Sequence, residues 1–452
     1  KMSSLALLLR NNLGSLSKIH GRRVTKRNSQ ISNSLSRFPS FRSFSSSQDA
    51  KEAKELLDCT KTVWEAPERL ICFGDIHGDI DAFEEMLIVA GLTKEKGGDW
   101  VAGSTVVVQN GDILDRGTGE VDVLKRMVSL SKQAQDANGA VITLVGNHEI
   151  MNYEGDFSYV SGDWGDGFLP YEKSIGTILD NEDPNWRYSH ERLSKYEYEQ
   201  KARGVCFDVK VPKLHRSIDA FRAATQVSVI VGDTLFVHAG LALGHLNFIE
   251  MTVKGKHGIL WETALSEAEG CKFKAALMLI NAQSFAYVNN QSFNLEPPGG
   301  APLLLTHPQG PVWMRNYSSP MGTEIVTPNV AGLLDEVLTS LNCNRMVVGH
   351  TPQPCINYAT VSRKHKTNEN QKDEVEVWRI DTGVSSGIYG GPREVIEILK
   401  SGQVNIMVAK DSTSPLPPSE SYDVSQSPSD ALFRIDDSKT RKAPIVMMPD
   451  YF

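Results

Sequence analysis

Short apolar runs that end at glycine recur along the first half of the chain. Leu70-Ile71-Cys72-Phe73 stops at Gly74, Val106-Val107-Val108 leads through Gly111, and Val141 to Val145 stops at Gly146. Aliphatic runs without polar alternation read as strands buried on both faces. Between them, Ala82 to Ala90, closed by Gly91, and the stretch near Val121 to Leu130 read as helices. Strand, loop and helix in repeated order predict an α/β core. Strands return at Val227 to Val231 and Leu235 to Val237, then at Met346 to Val348 after a helix over Val330 to Leu341. Two β-rich stretches, Glu376 to Ile380 and Val395 to Val408, close the domain.

The pattern divides the chain. Residues 67–410 read as one catalytic domain, preceded by a charged linker at 49–66. Near 153–225 the periodicity weakens while Tyr, Trp, Asp and Glu accumulate, which predicts a largely helical insertion. Residues 411–452 read as a disordered tail: 411–430 alone holds seven Ser and four Pro and too little apolar surface to offset the entropy of ordering.

Composition narrows the function. Hydrophobic residues make up 40% and charged residues 23% of the 452 residues, enough for a sizeable core. A net charge of -8 argues against tracking nucleic acid, which needs clustered Lys and Arg to neutralise phosphates. The six cysteines form no C-x-x-C pair, so neither a zinc ribbon nor a disulfide framework is expected, and most read as reduced and buried. No apolar run reaches the roughly 18 to 20 residues of a membrane span.

Five segments fall in loops just after predicted strands: Gly74-Asp75-Ile76-His77-Gly78, Gly111-Asp112-Ile113-Leu114-Asp115-Arg116-Gly117, Gly146-Asn147-His148-Glu149, His238-Ala239-Gly240 and Gly349-His350-Thr351-Pro352-Gln353. Carboxylate, imidazole and amide oxygen suit hard or borderline divalent metals, and strand ends are where open α/β sheets place their ligands. Each segment alone is a weak signal, and an isolated Asp-x-His is more often a turn. Their conjunction is strong.

In this order the segments resemble the signature of the calcineurin-like metallophosphoesterase superfamily and its phosphoprotein phosphatase branch. Asn147 to Asn152 followed by Glu154-Gly155-Asp156-Phe157, then Gly310-Pro311-Val312-Trp313-Met314-Arg315, Gly349 to Gln353 and Asp381 to Gly387 are similar specifically to the Shewanella-like protein phosphatases. The resemblance covers about Leu70 to Leu399. It implies a two-sheet β-sandwich flanked by α-helices, with a dimetal site at strand-end loops. It implies that Asp75, His77 and Asp112 hold one divalent ion (Mn, Fe or Zn), that Asp112, Asn147, His238 and His350 hold a second, and that Asp112 bridges them. A metal-bridging hydroxide would then attack the phosphorus of a phosphoprotein substrate carrying phosphoserine, phosphothreonine or phosphotyrosine. His148, oriented by Asp115, would protonate the leaving oxygen, while Arg116 and Arg315 would clamp the phosphoryl oxygens. His257 and His307 read as structural.

Two positions depart from the family pattern. Ala239 replaces the second residue of a usual His-Gly-Gly, adding only a methyl, and Ser158 stands where Arg is common, removing a positive charge near the expected substrate entrance. Two other readings compete. A bis-nucleoside tetraphosphate pyrophosphohydrolase shares the metal ligands, but the Gly-Pro-Val-Trp-Met-Arg and Gly-His-Thr-Pro-Gln blocks favour the phosphoprotein reading. An inactive metal-binding scaffold is disfavoured because every ligand and His148 are present.

Residues 1–48 hold nine Lys and Arg, thirteen Ser and no Asp or Glu, the composition of an organelle transit peptide. Leu5 to Arg10 could form a basic amphipathic helix, and Arg42-Ser43-Phe44-Ser45-Ser46 resembles a mitochondrial processing site, favouring mitochondrion over plastid. Amino-terminal sequencing of the protein from cells should find this segment removed; an intact cytosolic chain would refute the expectation.

Overall fold

The apolar runs become strands of two stacked sheets, in a computed structural model that describes residues 47–161, 203–204, 207, 221, 225–289, 302–318, 327–364, 372–408 and 422–423. One sheet has the order β1-β6-β7-β8-β10-β9, formed by Val63–Trp64, Ser228–Val231, Thr234–Val237, Arg345–Val348, Glu374–Arg379 and Asn357–Ser362 respectively. Its members β7, β8 and β10 run parallel. The other has the order β13-β12-β11-β2-β3-β4-β5, formed by Tyr422–Asp423, Val404–Val408, Glu394–Leu399, Arg69–Phe73, Val106–Gln109, Ala140–Leu144 and Thr225–Gln226. Here β2 to β5 are parallel and β11 to β13 antiparallel.

Alternate residues of each strand enter the space between the sheets. Leu70, Cys72, Val108, Leu144 and Ile396 meet Val229, Phe236, Val347 and Trp378 there. Trp378 stacks on its register partner Tyr358 with ring centroids 4.4 Å apart. The opposite faces, Ile71, Phe73 and Val107 among them, pack on Phe83, Leu87 and Leu124 of α2 (Ile80–Val89) and α3 (Glu120–Asp136). Burial on both faces explains why these strands read as continuous apolar runs.

The linker expected at 49–66 is instead part of the fold. Helix α1 (Ser47–Asp58) buries Ala53, Leu56 and Leu57, an i, i+3, i+4 stripe inside a mostly charged stretch, and β1 pairs with β6. Three helices that the apolar pattern does not place, α5 (Leu243–Lys256), α6 (Gly258–Glu267) and α7 (Lys272–Val288), pack on one another, with α6 and α7 against α1, while α8 (Pro328–Leu341) lies on β9 and β10 of the first sheet. In α7, Ala275, Ala276, Leu277, Leu279, Ile280 and Ala282 are all buried. A helix enclosed on most sides shows no polar face for periodicity to detect.

The helical insertion expected near 153–225 lies mostly outside the described residues; Tyr153 and Glu154 end α4 (Asn147–Glu154), and Arg203, Phe207 and Phe221 are buried. Residues 1–46 also lie outside, as does the expected tail, apart from the two-residue edge β13 paired with β12. No described helix is long and apolar enough to cross a membrane. None of the five described cysteines is in a disulfide, but fewer are buried than expected: Cys72 and Cys343 are buried, Cys271 and Cys355 half-buried and Cys59 exposed.

Candidate metal centre

Parallel strands of both sheets deliver their carboxyl ends to one place. Asp75 and His77 follow β2, Asp112 and Asp115 follow β3, Asn147 opens α4 after β4, and His238, His350 and Asp381 follow β7, β8 and β10. The two sheets touch closely at this edge: a Cβ on Gly74 would stand 2.3 Å from the Ile380 carbonyl oxygen, so only glycine fits. A Cβ on Gly146 would likewise stand 2.1 Å from Asp112 Oδ1.

The donor atoms gather around Asp112. His77 Nδ1 donates to the Leu114 carbonyl at 2.9 Å, which turns the Nε2 lone pair toward Asp112 Oδ2 at 3.8 Å. His238 Nδ1 donates to the Asn110 carbonyl at 2.9 Å, and its Nε2 lies 3.2 Å from Asp112 Oδ2, Asn147 Oδ1 and His350 Nδ1 alike. His350 donates through Nε2 to the Trp313 carbonyl at 3.1 Å, freeing Nδ1. A carbonyl bond on the far nitrogen of each ring fixes tautomer and direction as a metal ligand requires. Burial, followed by the charge of His148, lowers His77 to about 4. Burial, His238 and Arg315 hold His350 well below the usual imidazole range. Both are neutral, as ligands must be.

His148 groups by distance with His77 and Asp112, but its ring is engaged differently. Its Nδ1 meets Asp115 Oδ2 at 2.6 Å; a carboxylate can only accept, so Nδ1 carries the proton. Its Nε2 faces the site, 3.9 Å from Asp112 Oδ2. Burial alone would lower His148, yet the charge of Asp112 and the bond to Asp115 outweigh it and raise the imidazole. Asp115 in turn overcomes its own burial through His148 and Arg203 and lies below the usual carboxylate range.

Whether this pocket suits cations is decided by its charge. Asp75, Asp112, Glu149 and Asp381 are each 3% exposed or less. Burial and the charges of Asp381 and Asp112 push Asp75 well up, and burial with Asp112 pushes Glu149 up to about 7. Asp381 rises to about 6 through burial, and its Oδ2 is enclosed without a hydrogen-bond partner. Glu149 nevertheless accepts from the backbone N–H groups of Asp112, Ile113, Leu114 and Gly146 at 2.7–3.1 Å, so it is occupied as a clamp on the Asp112 loop. Among the described residues no Lys or Arg pairs with these four acids. Against its burial, Asp112 raises His238, yet mutually repelling buried carboxylates beside aimed imidazoles fit two divalent cations.

The expected anion contacts also converge. Arg116 lies 4.7 Å from the Tyr159 ring centroid, and its Nε is buried and unpartnered. Arg315 donates to Thr351 Oγ1 at 2.8 Å, within the fields of Asp112, Asp75 and Asp381. His307 stays outside, its Nδ1 accepting from the Gln309 N–H at 3.0 Å. Motif reading gave no role to Asp381, Glu149, Tyr159 or Arg203. Asp381 and Glu149 lie inside motif segments, and only their burial reveals them. Tyr159, whose ring edge meets His148 at 5.1 Å, and Arg203 belong to no motif.

The profile described as calcineurin-like phosphoesterase matches residues 68–354. Shewanella-like protein phosphatase 2 of Arabidopsis thaliana is 29% identical over 364 residues, covering 77% of this chain and 80% of that protein. Shewanella-like protein phosphatase 1 of Plasmodium berghei is 31% identical over 176 residues, 39% of this chain and 40% of that one. A cold-active protein-tyrosine phosphatase of a psychrophilic Shewanella superposes with a TM-score of 0.46 and 21% identity, over 78% of this chain and 82% of that one.

Asp112 supplies the oxygen on which both donor sets close, so Asp112→Asn should leave fewer than two metals per chain. Turnover should fall by about 10³-fold, the several kcal/mol a metal contributes. Elemental analysis beside a phosphatase assay checks this; two retained metals with near-normal turnover would contradict the shared position.

Proposed function

Because the chain belongs to the calcineurin-like phosphoesterases, we propose that it is a metal-dependent protein phosphatase hydrolysing phosphomonoesters on protein side chains. The observation that carries the reading is Asp112 Oδ2, flanked by His77 Nε2 at 3.8 Å on one side and His238 Nε2 at 3.2 Å on the other. Asp75 and His77 would hold one ion with Asp112, and Asn147, His238 and His350 the second. When bound, such a pair lowers the pKa of water and polarises the phosphoryl group. The Shewanella-like phosphatase 2 relative, aligned over 77% of this chain, supports a protein substrate.

The chain's own residues supply the rest. The guanidinium groups of Arg116 and Arg315 bind the phosphoryl oxygens and stabilise the charge that builds on them in the transition state. His148 holds a proton on Nε2 while Asp115 holds the one on Nδ1. As a water oxygen bonds to phosphorus and the P–O bond to the substrate breaks, the Nε2 proton passes to the departing oxygen, giving the free hydroxyl and inorganic phosphate. A serine alkoxide is strongly basic, so this transfer contributes roughly 10²- to 10⁴-fold.

His148→Asn should therefore keep both metals and lose about 10²-fold or more on a phosphoserine peptide, with a much smaller loss on p-nitrophenyl phosphate, whose leaving group needs little protonation. Arg116→Ala should slow both substrates alike, since it touches the group they share. Equal losses from His148→Asn on the two substrates, with metals retained, would contradict proton donation.

A further inference from the structure

One fully buried cation stands behind the proton donor, outside every motif. Arg203 is 0% exposed. Its Nε donates to Asn152 Oδ1 at 2.6 Å, its Nη1 to Glu120 Oε2 at 2.5 Å, and its Nη2 to both Glu120 Oε1 at 2.7 Å and Asp115 Oδ1 at 2.9 Å. The rings of Phe157 and Phe207 lie 5.8 and 5.3 Å from the guanidinium carbon.

The acceptors are not independent of the site. Asp115 presents Oδ2 to His148 and Oδ1 to Arg203 and to Asn152 Nδ2, the latter at 2.9 Å. Asn152 Nδ2 also donates to the His148 carbonyl at 2.8 Å. Glu120, first residue of α3, accepts the Asp115 N–H through Oε1 at 2.5 Å. That bond holds a loop in which Asp115 and Arg116 adopt φ of 69° and 66°, a left-handed conformation that is strained for non-glycine residues. Without the guanidinium, Glu120 and Asp115 would face each other as buried like charges.

We propose that Arg203 is a positioning residue for proton donation by His148: its planar fork fixes Asp115, and Asp115 fixes the imidazole. The inference rests on the reading of His148 as the acid. Arg203 thus supplies a third layer behind the donor: Arg203, then Asp115, then His148. The geometry demands arginine. Four bonds to three acceptors lie around one planar group, and a lysine ammonium could keep the charge but not span Asn152, Glu120 and Asp115 together.

The test measures phosphoserine-peptide and p-nitrophenyl phosphate turnover for Arg203→Lys, His148→Asn and the double variant, in the metal-loaded full chain, with metal content determined. Arg203→Lys should keep two metals and the KM of each substrate, lower kcat on the peptide by about 10- to 100-fold, and change the aryl ester less than about threefold. The double variant should show the same peptide-to-aryl ratio as His148→Asn alone, because positioning has no effect once the donor is gone. Equal slowing of both substrates by Arg203→Lys, or an additive shift of the ratio in the double variant, would overturn the positioning role. A ratio shifted by His148→Asn but not by Arg203→Lys would overturn it while leaving the acid intact; no shift with His148→Asn would remove both. If Arg203→Lys does not fold, Glu120→Gln, which weakens the same anchor, should shift the ratio in the same direction, and an unshifted ratio there counts against the proposal equally.

Discussion

Four carboxylates enclosed at the junction of two sheets, with no Lys or Arg among the described residues paired to them, set the terms for everything around them. A buried ionised carboxylate costs several kcal/mol unless it is compensated, and here Asp75, Asp112, Glu149 and Asp381 repel one another as well. Protonation would relieve the charge but would spoil Asp112, whose oxygens accept from the His148 N–H at 3.1 Å and meet His238 at 3.2 Å. Divalent cations relieve it without that loss. The sandwich brings parallel strand ends of both sheets to a single edge, where cations held in common would join the two layers.

Holding the acids in place strains the chain, and the strain is local. Of the eight non-glycine residues with positive φ among those described, His77, Asp112, Asp115, Arg116 and His350 lie in the ligand loops. Left-handed backbone at non-glycine residues persists only where surroundings over-determine it. Glu149 does this for the Asp112 loop through four N–H bonds, and Glu120 with Arg203 does it for Asp115. The machinery is thus two acids deep: outer carboxylates fix the backbone that aims the inner ones.

Legibility followed contiguity. The strands around Leu70, Val107 and Ile142 were readable because burial on both faces leaves unbroken apolar runs, and the ligand loops because each packs its donors into a few residues after a strand. Helix α7 is not legible because enclosure erases its amphipathic period, and α1 is hidden because charged residues surround Ala53, Leu56 and Leu57. Arg203 could not be found from sequence: it is 88 residues from Asp115, and a lone arginine in a polar stretch carries no pattern. Its role exists only in three dimensions.

The central claim is that two ions share Asp112 and that both are needed for turnover. Metal-free protein titrated with manganese, with bound ion and phosphopeptide hydrolysis followed together, tests it most directly. Activity should stay near background through the first equivalent and rise as the second binds. Full turnover at one ion per chain, or undiminished turnover without metal, would contradict the account.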